Sequence, residues 1–180
     1  MKNQNIIKSL VAAVILIAGF ATSNNASAQA SASGTANLSV VLSELRSITV
    51  GTPNVSVPIT TAAHYQTGNY TDVANHVTIT SSQAYKITAT SATANLVNGV
   101  NSIPANTITL TPSAGTVNGG GTVTYNAQPL VTATPGNLIA GTAGTTSSSF
   151  NIKYTASGGS SYLVPAGTYT TTVTYTVAAP

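Results

Sequence analysis

After residue 36 the chain alternates between two kinds of position. Between residues 168 and 177, Tyr169, Thr171, Val173, Tyr175 and Val177 fall on one side, and Thr170, Thr172, Thr174 and Thr176 on the other. Strict period two in β-branched and aromatic residues predicts a half-buried strand. Runs of the same kind occur at 38–42, 48–50, 55–59, 77–80, 85–90, 107–111, 123–125 and 150–154. No apolar stripe of helical spacing follows Phe20. The pattern therefore predicts about eight to ten strands and no helix.

Turn chemistry separates the runs. Asn98-Gly99 lies between Leu96-Val97 and Val100, and Asn118-Gly119 opens a glycine-rich tip. Asn-Gly adopts positive φ cheaply, which makes it a strong hairpin signal. Ser157-Gly158-Gly159-Ser160 follows the run at 150–154 in the same way. The prolines from Pro53 onward fall at run ends or edges, where a missing N–H is tolerated. Short strands at this spacing imply an all-β fold, a single antiparallel sandwich spanning residues 37–180. Residues 29–36 are small and polar and read as a flexible leader.

The first 28 residues follow another rule. Lys2 and Lys8 precede an unbroken apolar stretch at 10–20, too short for a bilayer that needs about 20 residues. Ala26-Ser27-Ala28 then offers a small-x-small cleavage site, with Ala28-Gln29-Ala30 overlapping it. Residues 1–28 therefore read as a signal peptide cut after Ala28, or alternatively after Ala30. No Cys follows for lipid attachment, and no second anchor is readable at the C-terminus. The expected location is secreted, periplasmic or on a bacterial cell surface.

Charge sharpens this picture. Only 4% of residues are charged, against roughly a quarter in an ordinary soluble domain. Thr 31, Ser 20 and Asn 16 take over the contact with water. Beyond residue 28 the charges are Arg46, Lys86 and Lys153 against Glu44 and Asp72, a net of +1. No basic patch is left to neutralise phosphates, so nucleic acid is not an expected partner.

So few ionisable groups leave little for catalysis. Asp72 and His76 are four apart with His64 upstream, but they lead into a strand and fall short of a zinc or calcium ligand set. No Gly-x-Ser-x-Gly elbow or phosphate loop is present. No catalytic, metal or cofactor residue is expected, and a hydrolase using His76 is a remote third reading. Glu44 and Arg46 share strand parity and read as a local ion pair. Tyr85, Phe150, Tyr169 and Tyr175 keep register with Val and Ile and read as core. Tyr65 and Tyr70 lie in a turn-like stretch and form a candidate sugar-stacking pair. The Thr rows at 107–111 and 170–176 could display hydroxyl ladders, but Thr faces are common on solvated sheets.

The segment Val164-Pro-Ala-Gly-Thr-Tyr-Thr-Thr-Thr-Val-Thr-Tyr-Thr-Val resembles the closing strand of secreted bacterial pilin-like sandwiches, notably spore coat U-like and related fimbrial domains. Val77-Thr-Ile-Thr-Ser-Ser-Gln-Ala-Tyr-Lys-Ile-Thr-Ala looks like their central strands, and 38–50 fits their leading strand. The resemblance implies an immunoglobulin-like sandwich exported to the surface and able to polymerise by strand exchange. Relatives often carry a disulfide, and this chain has no Cys. Leu38, Val40 and Leu42 form a candidate donor strand with alternate side chains for pockets. Pairing of that strand within its own sandwich is the preferred expectation, since local closure needs no partner. The leading functional reading is a non-enzymatic surface structural protein, pilin- or coat-like or an adhesin or matrix component. Its expected partners are further copies or other surface proteins. The alternative is a small carbohydrate-binding module using Tyr65 and Tyr70.

Overall fold

The structure is a computed structural model and describes residues 32–180. The export segment and both cleavage sites lie outside the described residues. Residues 32–41 belong to a separate unit from Leu42–Pro180 and form no helix or strand.

Within Leu42–Pro180 the chain is all-β and antiparallel. The strands are β1 (Arg46–Val50), β2 (Asn69–Ser81), β3 (Tyr85–Ser91), β4 (Asn95–Asn98), β5 (Asn101–Pro104), β6 (Ile108–Ala114), β7 (Val123–Tyr125), β8 (Gln128–Pro129), β9 (Ile139–Gly141), β10 (Thr145–Ala156) and β11 (Val173–Ala178). One sheet runs β1-β2-β10-β6-β8, a second runs β11-β3-β9-β7, and β4 and β5 form a separate hairpin. Both main sheets feed one core: Val77 and Ile79 from β2, Leu110 from β6 and Phe150 and Ile152 from β10 meet Tyr85 and Ile87 from β3 and Ile139 from β9. Each is at most 1% exposed, and burying such a side chain contributes about 1.5–3 kcal/mol. The arrangement is sandwich-like.

Alternation carries most of this. At residues 169–177 burial follows the pattern, with Thr170, Thr172, Thr174 and Thr176 all exposed and Tyr175 buried. Hydrogen bonding is narrower, because the ladder with β3 starts only at Val173. The Asn98-Gly99 hairpin forms, with Gly99 at φ 60° joining β4 to β5.

Two expected strands are not strands. Residues 38–42 form no strand. At 55–59, Val55, Val57 and Ile59 do pack against the core, yet no ladder forms. Pro58 has no N–H to give, and side chains of β2 bond the segment instead: Asn69 Nδ2 donates to Pro58 O at 2.7 Å and Thr71 Oγ1 to Ser56 O at 2.7 Å.

The expectation of no helix is also corrected. Among the described residues a short α-helix, α1 (Ala62–Thr67), is capped by Thr61, whose hydroxyl accepts from His64 N at 3.2 Å, and stops at Gly68 with φ 84°; two 3-10 turns lie at Ala105–Thr107 and Ser160–Tyr162. Six residues are too few to show a helical period.

β2 contains an irregularity that reshapes the interior. Val73 faces Ile152 and Val77 faces Phe150, so β2 advances four positions where β10 advances two. Asn75 sits in this bulge at φ 48°. Its Oδ1 accepts from Thr116 N at 2.9 Å, Thr116 Oγ1 at 3.1 Å and Ser149 Oγ at 2.9 Å. The bulge breaks the alternation, and His76 and Val77, adjacent in sequence, are both buried.

Candidate functional site

The strands that end the two sheets on one side, β1 and β11, approach each other. The pairing of Ile48 with Ile79 and of Val50 with Val77 points these β1 side chains inward, toward the same core. Ile48 is only half-buried and Val50 is 41% exposed, whereas Ile79 and Val77 are fully covered. On β11 the inward residues Val173 and Val177 are likewise half-buried on either side of Tyr175. The core is therefore less completely covered along this side, with apolar residues at period two on both rims.

The two sides of the molecule are guarded differently. On the far side, β8 is two residues long and contains Pro129, and β7 has three residues. Short strands and proline are the usual protection against edge pairing. On the open side, β11 carries six residues, Val-Thr-Tyr-Thr-Val-Ala, with no charge and no proline. β1 carries Arg46 at its first position, and that guanidinium is committed to Glu44 Oε1 at 2.6 Å and to Ala84 O at 3.5 Å. The expected local ion pair between Glu44 and Arg46 is thus present. An unpaired, uncharged edge beside an open apolar rim has the chemistry to accept an extended segment with alternating apolar side chains.

The residues that sequence reasoning offered as such a segment are themselves uncovered. Leu38 is 91% exposed, Val40 75% and Leu42 88%. Apolar side chains this exposed at consecutive alternate positions are uncommon on a monomer.

The chain matches no known protein family and no curated protein sequence.

The other candidate residues fall in separate places. Tyr65 lies on α1 and packs partly buried against the core, while Tyr70 lies on β2 and is 54% exposed. Lys153 Nζ stands 4.4 Å from the centroid of the Tyr70 ring. Asp72 is exposed on β2, directly opposite Lys153 of β10, whereas His76 is buried beyond the bulge. The turn-like reading of 65–70 is corrected accordingly: this stretch holds the end of α1 and the first residues of β2. Among the described residues no three His, Asp or Glu side chains gather into a metal-binding group. Also among them, no helix is long and apolar enough to cross a membrane.

A shallow depression of about 460 Å³ lies where β1 begins, lined by Leu45, Thr80 to Ser82 and Gly144 to Thr146. Four of its five hydroxyls are spent inside the fold: Ser81 Oγ donates to Gln83 O, Ser82 Oγ to Leu45 O, Thr80 Oγ1 to Thr146 O and Thr145 Oγ1 to Ser147 O.

Sequence reasoning missed a buried polar cluster behind the open side. His76 Nε2 lies 2.6 Å from Tyr154 Oη, which lies 2.6 Å from Tyr175 Oη. The imidazole meets both rings edge to face, at centroid distances of 5.5 and 5.7 Å. His76 Nδ1 is buried with no partner. Burial holds the His76 pKa below its ordinary value, and raises those of Tyr154 and Tyr175. Strict alternation would turn residue 76 outward next to Val77, and only the bulge brings it in.

Proposed function

We propose that this chain is a secreted, non-enzymatic surface structural protein that assembles by strand donation. Residues 38–42 of one copy lie along the open side of another, between β1 and β11. The observation that carries the reading is the pairing of two unsatisfied features. One is an alternating apolar segment whose Leu38, Val40 and Leu42 stand in solvent. The other is a half-covered apolar rim, where Ile48, Val173 and Val177 are partly buried and Val50 is 41% exposed. The near absence of charge supports it, since little repulsion opposes association of chains with net charge near zero. The resemblance to pilin-like and spore coat U-like domains, with an immunoglobulin-like sandwich, points the same way, as does the export signal read at residues 1–28.

Size-exclusion chromatography with light scattering on residues 29–180 tests the reading. Multimers that disappear when residues 29–43 are deleted support it. A monomer at all concentrations, unchanged by the deletion, sinks it.

The glycan-binding alternative retains Tyr70 as its one supporting observation, an exposed ring on a Thr-rich sheet face beside Lys153. Loss of a glycan-array signal on Tyr70→Ala would favour it, and an array with no signal above background would end it.

A further inference from the structure

The His76–Tyr154–Tyr175 cluster joins three strands across two sheets. β2 and β10 belong to one sheet, and β11 is the end strand of the other. Tyr175 is the one buried side chain of β11, so its hydroxyl is the polar anchor of that strand in the core.

Donor order in the cluster follows from counting orphans. If Tyr175 O–H donates to Tyr154 Oη and Tyr154 O–H donates to His76 Nε2, the one unpaired donor is Nδ1–H. The reverse order strands the Tyr175 proton as well as the Nδ1 lone pair. An unpaired buried polar group is costly, so the first order is favoured. It requires a neutral imidazole whose Nε2 can accept. Protonation turns Nε2 into a donor, forces the relay to reverse, and leaves both Nδ1–H and the Tyr175 hydroxyl without acceptors.

No charge stands by to offset this. The titratable groups that face His76 are Tyr154 from β10 and Tyr175 from β11. Asp72 on β2 is exposed, and Lys153 on β10 is turned to Tyr70. Lys86 on β3 alternates with buried Tyr85 and Ile87 and so faces outward. Arg46 on β1 is held by Glu44 and Ala84 O at the end of β1 that pairs with Ser81.

We propose that His76, Tyr154 and Tyr175 form an acid-sensitive latch holding β11 against the sheet of β2 and β10, and that protonating His76 loosens β11 along its free edge. The latch stands apart from strand donation, because its readout is local opening of β11 and not assembly.

Hydrogen exchange on residues 29–180 tests it at about pH 7.5 and about pH 5, after correction for the intrinsic rate. Exchange in β11 is expected to quicken about tenfold in acid while β6 and β10 stay within about twofold. In His76→Phe, which keeps the ring but cannot titrate, the acid response of β11 is expected to vanish. If that variant does not fold, Tyr175→Phe serves instead, with β11 already exchanging fast at neutral pH and little further change in acid. Equal β11 exchange at both pH values, acceleration spread evenly over all strands, or a response that persists in these variants would overturn the latch.

Discussion

Val50 and Val77 are cross-strand partners on β1 and β2, yet Val77 is fully buried and Val50 is 41% exposed. Two inward valines in register differ here because β1 ends its sheet and Val50 is its last residue, so no further strand of that sheet covers it. The same incompleteness appears on β11 at Val173 and Val177.

Val40→Asp should abolish association while leaving the fold untouched. Val40 is 75% exposed, so the substitution is expected to shift stability by no more than about 0.5 kcal/mol. A charged residue in the donor register would have to be buried without a partner. Light scattering and a thermal melt on one sample check both halves.

Stability should fall in acid. The folded state holds the His76 pKa below its ordinary 6.5, so the unfolded chain takes up the proton first as pH drops. The stabilisation from a neutral buried His76 is complete above 6.5 and is lost as pH falls through the folded value. The slope is up to about 1.4 kcal/mol per pH unit. Urea unfolding between about pH 7.5 and about pH 5 should show it, and His76→Phe should remove that component.

Asn75→Ala should destabilise the domain by about 1–2 kcal/mol, because Thr116 N–H and Thr116 Oγ1 lose their acceptor and Ser149 Oγ is left with only Val117 O. Asn75→Asp keeps an acceptor in place and should retain most of that stability. Urea midpoints of the two variants make the comparison.

Gly141→Ala should cost about 1–3 kcal/mol. An added Cβ would lie 2.4 Å from Cε1 and Cζ of Tyr85, a ring with no exposure and no room to retreat. Gly34→Ala, with nothing within 4 Å, should leave the melting temperature unchanged.

Much of the fold was legible in residue order. Period two placed β1, β2, β3, β6, β7, β10 and β11, and register placed Tyr85, Phe150 and Tyr175 in the core. Alternation alone did not separate a strand from a packed extended segment. Val55, Val57 and Ile59 bury alternate side chains without a ladder, and β9 is three residues with too little sequence to show a period. Position 76 was illegible for another reason. A bulge is a backbone event, and its sequence trace is one asparagine able to take positive φ. The open side was half legible. The candidate donor residues Leu38, Val40 and Leu42 stood out in sequence, but the half-covered rim exists only once β1 and β11 end their sheets together.

The native chain has no cysteine, so introduced thiols report contacts cleanly. The most direct test mixes a copy carrying Val40→Cys with a differently tagged copy carrying Val177→Cys under mild oxidation. Strand donation predicts a mixed disulfide between the two tags, and none when the second copy carries the outward Thr176→Cys instead. Absence of the mixed product, or its equal formation with Thr176→Cys, would contradict donation of residues 38–42 to the open side of a second copy.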